Sequence, residues 1–202
     1  MRSLKHFAKI IICTLSLFSA FVFAQDRYGV LAYHSVVDES AAENQKHYFP
    51  QTISAQTLIK HFNWLKENGY NVISWQQVID AENGKGTLPD NAVLLSFDDG
   101  YETMYNVVFP LLKAYNYPAV FAPVTGWLDT PADQKIAYAD KMLDRSVFAT
   151  WTQIKEMELS GLVEVASHTH NLHNGINANP SGGQLPSVIA PEYKNGKYET
   201  ED

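Results

Sequence analysis

An α/β fold built on a parallel sheet is predicted by three features of this sequence. Short, nearly continuous apolar runs recur along the chain, segments with helical apolar spacing lie between them, and the runs end in acidic or imidazole side chains. Such runs fit strands covered on both faces, and strands alternating with helices imply right-handed crossovers. A barrel and an open sheet both satisfy the pattern.

Each element can be justified in order. Tyr28 to Tyr33 (YGVLAY) is a short, buried strand. From Ser54 to Asn68, Leu58, Phe62 and Leu65 form one apolar stripe, with Ser54 as N-cap and Gly69 as the stop. Asn71 to Ile73 is a weak strand, and Ser74 with Gln77 has capping-box spacing for a shorter helix. Ala92 to Phe97 (AVLLSF) is the next strand. Pro110 opens a helix through Leu111, Leu112 and Tyr115, because a missing N–H costs nothing in a first turn. Pro118 to Ala122 and Leu162 to Ala166 are strands, and between them Thr150 with Gln153 starts a helix that Gly161 ends. Nothing after Gly175 reads as a strand or a strong helix.

Composition narrows the function classes. The chain has 202 residues, 46% hydrophobic and 18% charged, which fits a globular protein. Its 22 acidic and 15 basic side chains give a formal charge of −7, which opposes a nucleic-acid partner. Arg2, Lys5 and Lys9 precede an apolar stretch from Ile10 to Phe23, and Ala24 follows. That stretch is short for a bilayer span and right for a secretory signal over residues 1–24, an uncleaved anchor being the alternative. Removal of residues 1–24 takes away three positive charges and leaves residues 25–202 at −10. It also takes away Cys13, the one cysteine, so neither a disulfide framework nor a thiolate metal site is expected. An exported acidic protein is expected, periplasmic or else extracellular.

Three strand ends carry the chemistry. YGVLAY runs into His34, AVLLSF into Asp98, Asp99 and Gly100, and LVEVAS into His168, His170 and His173. In parallel α/β sheets, active sites gather beyond the carboxyl ends of the strands. Asp-Gly alone is an ordinary turn dipeptide, but two adjacent carboxylates at a strand end are costly without a cation. Neutral imidazoles suit such a cation. His168 and His170 would share a face if the strand continued, so His170 competes with His173; Asn171 and Asn174 mark a turn and favour His173. His47 and His61 read as surface or helix-packing residues, Trp127 and Trp151 as core or rim aromatics, and Tyr101 as a residue beside a cleft. One Asp, two His and an open position make a catalytic metal site, and a second carboxylate with a histidine can supply base and acid. Those parts suit hydrolysis of an amide or ester.

Phe97-Asp98-Asp99-Gly100, followed by Ser167-His168-Thr169, resembles the NodB-homology polysaccharide deacetylases, carbohydrate esterase family four. The resemblance implies a distorted (β/α) barrel with Asp98 as base and Asp99, His168 and His173 as ligands of one divalent ion, zinc or else cobalt, nickel or iron. Two departures stand out: the histidines are separated by five rather than four, and Tyr33-His34-Ser35 precedes the Asp pair. Both are similar to the circularly permuted subgroup acting on poly-β-1,6-N-acetyl-D-glucosamine in biofilms, as is the run from Ser96 to Trp127. On that resemblance His34 is the general acid and an N-acetylglucosamine polymer the substrate, with acetate released. It further implies a monomer working beside polysaccharide export machinery, and a deacetylase domain over 25–202 that is truncated at its C-terminus, with reduced or no activity alone. Chitin or peptidoglycan deacetylation and an inactive carbohydrate-binding relative are the alternatives.

Overall fold

The computed structural model describes residues 27–39, 49, 51–138 and 141–199. The signal expected over 1–24, with Cys13, and also His47, lie outside the described residues. Among the described residues no helix is long and apolar enough to cross a membrane.

The chain opens with β1 (Tyr28–Tyr33), two short pieces β2 (Val36–Val37) and β3 (Ile53–Ser54), and α1 (Ala55–Glu67). Ser54 caps α1 by accepting from the Thr57 N–H, and Leu58, Phe62 and Leu65 are the side chains it buries. β4 (Asn71–Ile73) leads into α2 (Trp75–Glu82), where both halves of the Ser74–Gln77 capping box form. Glu164 adds a long-range cap, accepting from the Trp75 and Gln76 N–H groups at 2.7 and 2.9 Å. Next come β5 (Ala92–Asp99), a π-helical turn over Met104–Val108, α3 (Phe109–Tyr115), β6 (Ala119–Pro123) and α4 (Thr125–Leu128). The hairpin β7 (Lys135–Tyr138) and β8 (Lys141–Asp144) precedes α5 (Trp151–Leu159), whose Thr150–Gln153 box is complete, and β9 (Val163–Val165).

β1, β4, β5, β6 and β9 form one parallel sheet with β5 at its centre. β1 follows one edge of β5, pairing Tyr28 with Ala92 through to Tyr33 with Phe97. The opposite edge is shared, with β4 beside the start of β5 and β6 beside its end. Side chains from β5 and β6, including Leu95, Phe97 and Phe121, pack with Phe62, Leu112, Ile154 and Met157 of the helices into the main core. The sheet, helices on its faces and all-parallel pairing are the predicted α/β architecture, and the pairing among the described residues leaves the sheet open rather than closed into the expected barrel.

Three expectations need correction. β1 is not buried: Val30 is 52% and Leu31 38% exposed, and both line a groove of about 530 Å³ with Trp64 and Tyr70. An apolar run fits a central strand and an edge strand equally well, and β1 pairs on one side among the described residues. Pro110 does stand in the first turn of α3, but that turn is not where helical structure begins, since a π-helical turn from Met104 runs directly into it. The Phe109 N–H reaches back five residues to the Met104 carbonyl, and this wider turn lets the chain absorb a proline inside a continuous helix. The tail does form strands: hairpins β10 (Gly175–Asn177) with β11 (Gln184–Pro186), and β12 (Tyr193–Lys194) with β13 (Lys197–Tyr198). They are short and mostly exposed, so no apolar alternation announces them.

Arg145 is the fold's main buried charge outside the site. It is 8% exposed and donates from Nη1 to the Phe148 carbonyl at 2.8 Å, and from Nη2 to those of Leu128 and Ala149 at 2.8 and 2.9 Å. One guanidinium thereby fixes the end of α4 to the strand-like segment before α5. Arg145→Met removes three charge-assisted bonds and strands three carbonyls, so a loss of about 3–5 kcal/mol in urea unfolding is expected. A change below about 0.5 kcal/mol, the scale of surface substitutions, would mean that water replaces the guanidinium without cost.

Candidate functional site

The Asp pair sits on the last two residues of β5, where Asp98 pairs with Ala122 and Asp99 with Pro123. Side chains on a strand alternate between faces, so two neighbouring carboxylates need a backbone device to work at one place. Asp99 supplies it: its φ is +71°, rare for a residue with a side chain, and the Gly100 N–H bonds to the Asp98 carbonyl at 2.9 Å. Gly100 continues the turn at φ +99°, and a Cβ there would lie 2.8 Å from Pro123 Cβ. Strain of this kind persists only where surrounding packing enforces it, and it gathers at working sites.

Asp99 is 1% exposed. Its Oδ1 lies 3.0 Å from His173 Nε2 and 3.6 Å from His168 Nε2, yet makes no aligned hydrogen bond and is a buried acceptor without one. One ligand atom from each of the three residues lies within 4.8 Å of the others. Donors bound at about 2.0–2.2 Å around a tetrahedral ion stand roughly 3.4 Å apart, close to the two measured separations. An orphaned carboxylate oxygen facing two imidazole nitrogens is a set of lone pairs that a divalent cation would satisfy. Both histidine side chains are about a third exposed, at 35% and 33%, so solvent reaches the cluster from one side.

Electrostatics reinforce the cluster. Burial works to raise the Asp99 pKa, but the contact and charge of His173, then the charges of His34 and His168, outweigh it and hold the carboxyl below its ordinary value. Asp99 in turn raises the His173 pKa against the opposing effect of burial. The register of Tyr33 against Phe97 brings the end of β1, and His34 after it, alongside the end of β5 that carries the pair. Asp98 is half-buried, outside the three-residue cluster, and its Oδ1 accepts from Ser96 Oγ at 2.7 Å.

The histidine loop is clamped rather than free. Its path begins with the Ala166 and His168 N–H groups bonded to the Phe121 and Pro123 carbonyls at 2.9 and 3.1 Å. The first turn of α4 then donates to it, Thr125 N–H to the Thr169 carbonyl at 3.2 Å and Gly126 N–H to the His170 carbonyl at 2.9 Å. Those donors have no partner inside a helix, so the loop completes the helix start. His170 is drawn away: its Nδ1 meets Thr125 Oγ1 at 2.9 Å, and it stands outside the cluster that contains His173. β9 ends at Val165, so the continued strand that would have favoured His170 does not form.

Aromatic rings pack the far side. Trp127 stands edge-on to His173 with centroids 5.0 Å apart, and Tyr138 stacks on the same ring at 6.1 Å. Trp127 is thus a core aromatic, whereas Trp151 is exposed and donates to Asp129 at 2.8 Å. Tyr101 is 1% exposed and belongs to a second core with Phe49 and Phe148. His61 is exposed on α1, with Nδ1 3.2 Å from the Tyr33 hydroxyl. A groove of about 630 Å³ opens beside the cluster, walled by Tyr138, His168, His173, Leu172, Leu185 and Val188. Leu185 and Val188 belong to the tail, where sequence reading found no structure, and only their isolated apolar character in a polar tract could have marked them.

This geometry agrees with what the chain is similar to. A family model described as polysaccharide deacetylase matches residues 85–186, half of the chain. Poly-beta-1,6-N-acetyl-D-glucosamine N-deacetylase of Escherichia coli (strain K12) is 41% identical over an alignment 197 residues long that covers 90% of this chain and 29% of that protein. The chain therefore spans less than a third of that curated relative. A solved de-N-acetylase from Aggregatibacter actinomycetemcomitans is 72% identical with a TM-score of 0.81, covering 87% of this chain and 67% of that one. A deacetylase domain from Bordetella bronchiseptica is 39% identical with a TM-score of 0.74, covering 87% and 69%. With a strained Asp-Asp-Gly turn, a clamped histidine loop and matches of this extent, the chain belongs to the polysaccharide deacetylase family.

Proposed function

We propose that the chain catalyses hydrolytic N-deacetylation of an exported N-acetylglucosamine polymer, poly-β-1,6-N-acetyl-D-glucosamine, releasing acetate. The observation that carries this reading is the buried, unbonded Asp99 Oδ1 facing His168 and His173, with Asp98 next to it in the chain. Asp99, His168 and His173 would hold one divalent ion, zinc by preference, although the N and O donors also admit cobalt, nickel or iron. When bound, the ion would polarise the acetamide oxygen and lower the pKa of nearby water towards about 7. Asp98 takes a proton from the attacking water, its carboxylate oriented by Ser96. The water oxygen bonds to the acetamide carbon, and the carbon–nitrogen bond then breaks as His34 gives its proton to the departing amine. Leu172, Leu185 and Val188 offer an apolar wall to the sugar face beside the cluster. The substrate assignment rests on the names of relatives 41% identical to this chain and on the groove's place beside the cluster.

Export to the periplasm, alongside polysaccharide export machinery, is part of the same proposal and rests on the basic and apolar start of the sequence. The test is acetate release from β-1,6 and β-1,4 acetylglucosamine oligomers, with and without chelator. Chelator-sensitive release from β-1,6 oligomers is expected. Release from β-1,4 oligomers alone would transfer the assignment to a chitin-type substrate, and binding without release from either would make the chain a carbohydrate-binding relative.

A further inference from the structure

The geometry points to Tyr138 as a positioning residue for Asp99, with Tyr101 as its support. This inference rests on the reading that Asp99, His168 and His173 hold a cation. The two oxygens of Asp99 have different surroundings. Oδ1 faces the imidazoles, whereas Oδ2 lies 3.4 Å from the Tyr138 hydroxyl. An ionised carboxylate only accepts, so the single Tyr138 proton goes to Asp99. The Tyr138 oxygen must then accept, and the Tyr101 hydroxyl donates to it at 2.9 Å. A two-step chain of hydroxyls thus runs from the core to the carboxylate.

Its inner end is well anchored, because the Tyr101 ring packs on Phe49 and Phe148 with centroids 5.2 and 5.6 Å apart. The same Tyr138 ring stacks on His173 with planes 23° apart, so one side chain bears on two members of the cluster. Nothing in the sequence marks Tyr138 for this task, since it lies on β7, outside the three strand ends that carry the acidic and imidazole groups. With Oδ2 held by a phenol, Asp99 presents Oδ1 alone to a cation. Hydrogen-bond partners of metal ligands typically change affinity by about 10- to 100-fold when removed.

The test is cobalt(II) binding to the full chain, comparing wild type with Tyr138→Phe and Tyr101→Phe. Tyr138→Phe keeps the ring that packs on Phe49, Trp127 and His173, so the metal-free variant should melt cooperatively, as wild type does. Its affinity for cobalt, read by competition with a chelator, is expected to fall about 10- to 100-fold. The visible absorption band of bound cobalt is expected to shift as Asp99 gains freedom to use both oxygens. Tyr101→Phe should weaken binding in the same direction by less, and it decides the question by the same two readouts if Tyr138→Phe does not fold. Wild-type affinity and an unchanged band in Tyr138→Phe would overturn the inference while leaving the metal reading intact. Failure of wild type itself to bind cobalt would overturn that reading and this inference with it.

Discussion

Asp98→Asn is expected to lower acetate release by about 10²- to 10⁴-fold, the usual contribution of a positioned acid or base, while leaving metal content at the wild-type level. Asparagine is nearly isosteric and can still accept from Ser96, which donates to Asp98 Oδ1 at 2.7 Å, so local structure should persist. What disappears is a carboxylate able to take a proton. Asp98 is half-buried and outside the cluster of Asp99, His168 and His173, so removing its charge subtracts no ligand atom from that set. Asp99→Asn should do the reverse, emptying the protein of metal before any turnover is measured. The pair of variants separates the two roles: loss of metal in Asp98→Asn, with retention in Asp99→Asn, would exchange the assignments of neighbouring residues that differ by one backbone turn.

Much of the fold could be read locally. Ser54, Ser74 and Thr150 head helices because their side chains accept a hydrogen bond three residues on, a rule that needs no tertiary information. The strands ending at Tyr33 and near Phe97 were visible as apolar runs, and the polar groups beyond them gathered at one edge because parallel strands share a direction. Burial of β1 was not readable, because exposure of Val30 and Leu31 depends on what covers them from elsewhere. The π turn before Pro110 is a compromise between a proline and a longer helix, and local signals describe each alone. Arg145, Tyr138, and Leu185 and Val188 of the tail lie in stretches with no helical periodicity; their roles come from partners elsewhere in the chain. Even the choice between His170 and His173 turned on Thr125, which captures the His170 ring from the start of α4.

Gly126 shows the same non-local logic and yields the second large effect. It carries no left-handed backbone requirement, so its lack of a side chain matters only through contact. A Cβ built on Gly126 would lie 2.4 Å from the His170 backbone carbonyl and 2.0 Å from Asn171 Oδ1. Asn171 can rotate aside, but the His170 carbonyl accepts from the Gly126 N–H at 2.9 Å and belongs to the backbone between His168 and His173. Gly126→Ala therefore has two outcomes available, movement of α4 or movement of the loop. α4 is held by its place after β6, by Trp127 and Leu128 buried in the two cores, and by Arg145 on the Leu128 carbonyl. The loop is about a third exposed at both imidazoles and yields first. A displacement of about 1 Å there exceeds the roughly ±0.2 Å tolerance of a ligand bond. Metal affinity in Gly126→Ala is expected to fall at least about 100-fold, the upper end of what losing a supporting contact costs, while unfolding stability drops by about 1–3 kcal/mol from overpacking. Gly161→Ala is the control, because nothing lies within 4 Å of a Cβ there although φ is +74°, so it strains the backbone without touching the site. Metal binding at wild-type strength in Gly126→Ala would show that the loop's grip on α4 does not set where the imidazoles stand.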